Sequence, residues 1–260
     1  MCIRDRSATD NCATTFTWSQ STTAGTLLAS GEGTTHTITV TVNDGNGNSS
    51  TCTVVLTGDD TTPPVATCEG PQIIVLDATC KLLVPDLTNA ASATDNCSAS
   101  FTWSQSTNAG TLLASGEGTT HTITVTAYDG NGNSSSCSVL LTGDDATPPT
   151  PICEGPQTIV LNSACELLVP NLIDGTSATD NCSSSFTWSQ STSAGTLLAS
   201  GEGTTHTITV TVNDGNGNSS TCTVVLTGDD TTPPVATCEG PQTIVSVSYT
   251  HLTLPTSDLV

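Results

Sequence analysis

The side chains best equipped for chemistry are cysteines and aspartates, and both recur at fixed positions. Cysteines stand at Cys68, Cys80, Cys97 and Cys137, and again at Cys153, Cys165, Cys182 and Cys222. An even set in a small unit points to disulfides and an oxidising compartment. Zinc would want close Cys-x-x-Cys pairs, whereas the gaps here are 12, 17 and 40 residues. Asp129-Gly-Asn-Gly-Asn133 sets oxygen-bearing side chains at alternate positions, as calcium loops do. It lacks the glutamate that closes a complete EF-hand loop, and the same residues make a plain Asn-Gly hairpin, the simpler reading. Asp144 and Asp145, with Asp95, are further acidic candidates near the junctions between repeats. The candidate metal set is therefore Asp129, Asn131, Asn133, Asp144 and Asp145, with calcium as the ion. No other cofactor is expected.

No catalytic residue is expected either. His121 and its copies His36 and His206 lie in a serine-rich chain, but no Gly-x-Ser-x-Gly fixes a nucleophile. His121 is read as a surface residue on a threonine strand, facing away from Ile123 and Val125. Trp103 and its copies are read as core rather than as a sugar-stacking platform.

These residues are positioned by a repeat. Ser-Ala-Thr-Asp-Asn-Cys begins at Ser7, Ser92 and Ser177, a period of 85 residues. Thr-Gly-Asp-Asp-x-Thr-Pro-Pro begins at Thr57, Thr142 and Thr227 in the same register. A fixed period of this kind means an array of like units, and argues for a multiplied surface or a spacer rather than one active site. The boundaries read as a partial module at 7–58, complete modules at 61–143 and 146–228, and the start of a fourth at 231–245. Residues 1–6 and 246–260 break the register and resemble translated sequencing-adapter sequence, so they are set aside as artefact. The array is expected to be a window on a longer chain.

Composition narrows the class. Of three basic side chains, two (Arg4 and Arg6) lie in the adapter-like segment, leaving Lys81 against most of the 24 acidic residues. Such a chain repels nucleic acid and anionic membranes and attracts divalent cations. No apolar run approaches the ~20 residues of a membrane helix.

Within a module the pattern is short strands. Val65–Cys68 and Gln72–Leu76 break at Gly70-Pro71, Leu82–Val84 ends at Pro85, and Asp86–Ser98 reads as a polar loop. Phe101–Gln105 and Thr111–Ala114 follow. The clearest pair is last: Ile123, Val125 and Ala127 alternate with threonines, and Cys137, Val139 and Leu141 share one face across the Asp129–Asn133 turn. The fold expected is all-β, a tandem array of immunoglobulin-like sandwiches. Phe101, Trp103 and Tyr128 supply a thin aromatic core, so small modules gain from staples.

Pro63-Pro-Val-Ala-Thr-Cys68, Ala93-Thr-Asp-Asn-Cys97, Phe101-Thr-Trp103, the Gly116–Asp129 run and Gly132-Asn-Ser-Ser-Ser-Cys137, in that order, resemble the hyalin repeat (HYR) family and its bacterial relatives. The chain departs from the family's usual Cys-Pro at Cys68-Glu-Gly-Pro71, and from its Cys-x-Phe at Cys137-Ser-Val139. The resemblance implies an extracellular immunoglobulin-like module common in adhesive surface proteins. It also implies the disulfides: some animal members keep only the equivalents of Cys68 and Cys137, so these pair and Cys80 is left to Cys97. By register, Cys153–Cys222 and Cys165–Cys182 follow.

The function expected is the repeat region of a large secreted or cell-surface protein, an adhesive or structural stalk and not an enzyme. The alternative is an accessory repeat region of a secreted enzyme, such as a polysaccharide hydrolase, whose catalytic domain lies outside this stretch. The expected partners are neighbouring repeats of the same chain and a surface ligand, carbohydrate or protein. Nucleic-acid binding and membrane insertion of this stretch are not expected. Modules are expected to be joined only by short linkers such as Asp144–Pro149, stiffened by Pro-Pro.

Overall fold

The computed structural model describes residues 6–246. The two adapter-like segments lie outside the described residues, apart from Arg6 and Ser246. Threonine, valine and isoleucine suit a pleated, half-buried surface, and the described residues form strands and no helix. The chain divides into two compact units. One comprises Met1–Ile152, Ser177–Trp188 and Thr211–Thr221; the other comprises Cys153–Thr176, Ser189–Val210 and Cys222–Val260.

In the first unit, β1 (Thr17–Gln20), β2 (Thr35–Asn43) and β3 (Ser49–Thr57) form a three-stranded antiparallel sheet. The middle repeat supplies β4 (Val65–Thr67), β5 (Gln72–Val75), β6 (Lys81–Leu83), β7 (Ser92–Thr94), β8 (Thr102–Gln105), β9 (Leu112–Ala114), β10 (Thr120–Tyr128) and β11 (Ser134–Asp144). Its main sheet runs β5-β11-β10-β8, and β4-β7 and β6-β9 are small antiparallel ladders. Strand β5 joins β11 in parallel; the other pairings of the main sheet are antiparallel. A further ladder joins β12 (Thr150–Ile152) to β15 (Ser177–Thr179).

In the second unit, β13 (Gln157–Val160) runs parallel to the Leu226–Asp229 part of β19 (Ser219–Asp229), and β14 (Glu166–Leu168) pairs with β17 (Leu197–Ala199). With β18 (Thr205–Asn213) and β16 (Thr187–Gln190), the order β13-β19-β18-β16 repeats that of the middle copy. This unit buries Leu161, Leu167, Val169, Leu172, Ile208, Val210, Val224 and Leu226.

The core of the middle module lies between layers, as in a β-sandwich of immunoglobulin type. Ile123, Val125, Val139 and Leu141 from the β10–β11 ladder pack against Leu76, Leu82, Val84 and Leu87. Trp103 is half-buried against this cluster. Tyr128 is not core: it is 43% exposed, with its hydroxyl 3.3 Å from Ser104 Oγ. His121 also departs from expectation. Side chains two apart share a face, so His121 lies with Ile123 and Val125, half-buried, its Nε2 without a partner among the described residues.

Two strands differ from the pattern read in the sequence. β7 lies inside the stretch read as a polar loop; Ser92, Ala93 and Thr94 are too small to show an apolar alternation, yet they pair with Thr67, Ala66 and Val65. β11 extends to Asp144 because Gly143 and Asp144 pair in parallel with Ile74 and Val75. That approach is why the repeat keeps Gly143: a Cβ there would stand 2.8 Å from Gly116 O and 2.9 Å from Leu76 Cδ2.

Cys68 is bonded to Cys137, and Cys153 to Cys222, with Cα atoms 5.7 and 6.0 Å apart. Each closes a span of 69 residues, which contributes about 4 kcal/mol by the chain-entropy argument. The remaining pairing corrects the expectation. Cys80 is bonded to Cys182, 102 residues on, with Cα atoms 4.9 Å apart, while Cys97 and Cys165 are exposed and have no sulfur partner among the described residues. The same holds for Cys12, Cys52 and Cys238. The reason is position. Cys97 lies beside Gly58, Asp59 and Asp60 at the leading end of its module. Cys80 lies in the Asp77–Cys80 turn at the trailing end, against Cys182 of the following copy. Successive modules are thus joined by a disulfide as well as by the linker.

The alternation of β11 sets a test. Leu141 is fully buried and its neighbour Leu140 is 39% exposed on the other face. Leu141→Ala is expected to cost about 2–5 kcal/mol in denaturant unfolding, and Leu140→Ala about 0.5 kcal/mol or less. Equal losses would contradict this register.

Candidate metal centre

The junctions at Asp60 and at Asp145 each gather three carboxylates. Asp60 follows β3 in the segment leaving the first repeat, Asp95 directly follows β7, and Asp129 directly follows β10. One oxygen from each lies within 4.8 Å of the others, and Asp145, Asp180 and Asp214 form the same cluster one period on. Asp60, Asp129, Asp145 and Asp214 are buried. Both clusters lie within the first unit.

Local turns hold the carboxylates in place. Asp95 Oδ1 accepts hydrogen bonds from the backbone N–H of Cys97 and Ser98, both at 2.8 Å. That leaves Asp95 Oδ2 buried and without a partner among the described residues, as is Asp180 Oδ2 in the second cluster. Asp129 Oδ1 accepts from the N–H of Asn131 at 2.8 Å and Asn133 at 3.0 Å, and its Oδ2 from Asn133 Nδ2 at 2.7 Å. Asn131 Nδ2 donates to Asp60 Oδ2 at 3.1 Å and to Ser98 Oγ at 3.0 Å. Asn133 Nδ2 also donates to the Asp60 carbonyl at 2.9 Å. The linker is fastened from the other side, where the Asp60 N–H donates to Glu32 Oε2 at 2.7 Å. Asn216, Asn218 and Glu117 make the corresponding bonds around Asp145.

Burial works to raise the Asp129 and Asp214 carboxyls, but the hydrogen bonds from the Asn133 and Asn218 side chains and from the backbone N–H groups outweigh it. Both lie below the ordinary carboxylate value. Donors to the charged form have this effect.

Not every candidate falls in the cluster where the sequence placed it. Asp129 and Asp145 are both in clusters, but in different ones, because Asp145 leaves its own module to meet Asp180 and Asp214 of the next. Asn131 and Asn133 surround the first cluster as donors, with their amide nitrogens toward the carboxylates. Asp144 stands outside, the last residue of β11, opposite Val75. Asp60, Asp180 and Asp214 went unread in the sequence; the 85-residue register relating Asp60 to Asp145, Asp95 to Asp180 and Asp129 to Asp214 was the available signal.

The donor set is oxygen only and anionic, one carboxylate on the segment leaving a repeat and two just past strand ends, which suits a hard divalent cation such as calcium. The unpartnered Asp95 Oδ2 and Asp180 Oδ2 are oxygens still open to a ligand.

Residues 59–142 match the family model described as HYR domain. That span holds the first cluster apart from its backbone anchor at Glu32, and the Cys68–Cys137 bond. No curated protein matches the chain. Among solved structures it is similar to protocadherin gamma B2 extracellular cadherin domains 1-5, at 14% identity and a TM-score of 0.38, covering 76% of this chain and 46% of that one. It is similar to mouse cadherin-23 EC22-24 at 15% identity and TM-score 0.33, covering 75% and 74%. It is also similar to human CDH23 EC21-23 at 18% identity and TM-score 0.37, covering 74% and 73%. The chain thus spans less than half the length of the protocadherin.

The lowered Asp129 and Asp214 carboxyls give a pH test. A carboxyl whose folded value is depressed contributes stability that is complete above its unfolded value, ~3.9, and is lost as pH falls through the folded value. The melting temperature is therefore expected to fall with pH below about 4, and to fall less steeply in Asp129→Asn/Asp214→Asn. Identical slopes in parent and variant would contradict the assigned hydrogen bonds.

Proposed function

We propose that this chain is a stretch of an extracellular adhesive or structural stalk whose HYR-type modules are fixed in succession by calcium at their junctions. The observation that carries the reading is the make-up of each cluster. One carboxylate comes from the segment leaving a module, Asp60 or Asp145, and two come from strand ends of the next. A cation held by all three ties the linker to the following module and removes the repulsion between them. The disulfides point the same way, since they belong to an oxidising compartment.

Asp60, Asp95 and Asp129 would hold the ion in one site, and Asp145, Asp180 and Asp214 in the other. A half-turn of the Asn131 or Asn216 amide would bring its carbonyl oxygen inward as a further ligand. The chain's own contribution is to keep the carboxylates close in its absence, through the Asx turns at Asp95 and Asp180 and the hairpin turns at Asp129 and Asp214. With module boundaries at 61–143 and 146–228, each complete module would begin just after the linker aspartate that serves it. Binding of a surface ligand, carbohydrate or protein, would be multiplied along the array, so that weak identical contacts add.

Weak extracellular calcium modules bind at ~10⁻⁴–10⁻³ M, so 10 mM calcium would stabilise the folded state by about 1.4–2.7 kcal/mol per site. A raised melting temperature is expected in 10 mM calcium against chelator at matched ionic strength. Asp60→Asn/Asp145→Asn is expected to abolish the rise, and Asp144→Asn to leave it intact. No rise in the parent chain, or an equal loss in Asp144→Asn, would remove the metal from the account.

A further inference from the structure

The Cys80–Cys182 bond joins one repeat to the next, and both of its halves recur in the chain unbonded. Cys97 occupies the turn that Cys182 occupies one period later. The Cys97 and Ser98 N–H groups donate to Asp95 Oδ1 at 2.8 Å, as those of Cys182 and Ser183 donate to Asp180 Oδ1 at 2.8 Å. Cys165 occupies the turn of Cys80: its N–H donates to the Asn162 carbonyl at 3.0 Å, as that of Cys80 donates to the Asp77 carbonyl at 2.9 Å. Cys80 and Cys165 are also the two non-glycine residues with positive φ among the described residues, at 57° and 55°. Few residues accept that conformation. The free cysteine therefore carries the backbone geometry that the bonded one uses.

We propose that Cys97 and Cys165 are the open halves of a disulfide ladder: Cys97 bonds the Cys80-type turn of a preceding module, and Cys165 bonds the Cys182-type turn of a following one. The partner in each case is a further copy of this module. Its own contacts are visible at the closed link, where Asn181 Nδ2 donates to the Asp77 carbonyl at 3.0 Å beside the bond. Asn96 stands ready to make the same contact next to Cys97, and the Asn162 carbonyl to receive it next to Cys165.

In each closure two thiols become one disulfide. The two electrons and two protons pass to a small-molecule disulfide of the glutathione class, which leaves as two thiols. A module inside such an array has one internal bond and one to each neighbour, so consecutive modules are tied twice, through the linker and through sulfur. The ladder needs no cation, and its test is independent of calcium.

The test lengthens the full chain by one period, repeating residues 161–245 after Val245, where the register continues unbroken. The protein is folded in a glutathione redox buffer without calcium, digested without reduction, and its disulfide-linked peptides are identified by mass spectrometry. Cys165 is expected to be joined to the added copy of Cys182, with Cys80–Cys182 retained, and Cys165→Ser is expected to remove only the new bond. In the unlengthened chain Cys165 is expected as a thiol or a glutathione adduct. Cys165 left free in the lengthened chain, Cys165 bonded to Cys182 or Cys97, or loss of the Cys80–Cys182 bond would each overturn the ladder.

Discussion

The nine-residue antiparallel ladder between β10 and β11 is the constraint on which the rest of the module depends. Its inward residues, Ile123, Val125, Val139 and Leu141, form one wall of the core. Cys137 on the same strand fixes the first strand segment through Cys68. At one end the ladder closes in the Asp129–Asn133 turn, which presents a carboxylate to the preceding linker; at the other, β11 runs out through Gly143 and Asp144 and delivers Asp145 to the next module. Core, staple and both junctions are thus set by one register. A slip of one residue would turn every one of those side chains to the wrong face.

The junctions follow from this geometry. A module of this size with few aromatic residues buries a limited apolar area, and it presents acidic groups at its junctions. Charge alone would drive such ends apart. Hydrogen bonds from Asn131, Asn133 and their copies hold the linker aspartate against the next module, and the Cys80–Cys182 bond adds a covalent tie between copies. Both devices pair the trailing end of one copy with the leading end of the next.

That end-to-end relation decides what could be read from the sequence. The all-β class, the β10–β11 hairpin, its buried face and the Asp129 turn were legible, because strand alternation and turn chemistry are local. β7 was not: Ser92, Ala93 and Thr94 carry no apolar pattern, and only their ladder with Val65–Thr67 makes them a strand. The inward face of His121 was there to be read from parity with Ile123, but was assigned to the threonine side. The partner of Cys80 and the grouping of Asp145 with Asp214 escaped for a different reason. The cysteine partner was sought within one period, and Asp145 was read as a junction residue without its partners, whereas the repeat places the true neighbours in the next copy. Asp144 and Asp145 are adjacent in sequence, yet strand alternation and the end of β11 send only the second to a cluster.

The central claim is that the linker aspartate and the next module together make one cation site, so counting bound ions is its most direct test. Calcium binding to the full chain would be measured by titration calorimetry at physiological ionic strength, where the diffuse attraction of exposed carboxylates is screened beyond ~8 Å. The account predicts two saturable ions per chain, one for each cluster, falling to one in Asp145→Asn and to none in Asp60→Asn/Asp145→Asn. No saturable binding, or an unchanged count in the double variant, would contradict it.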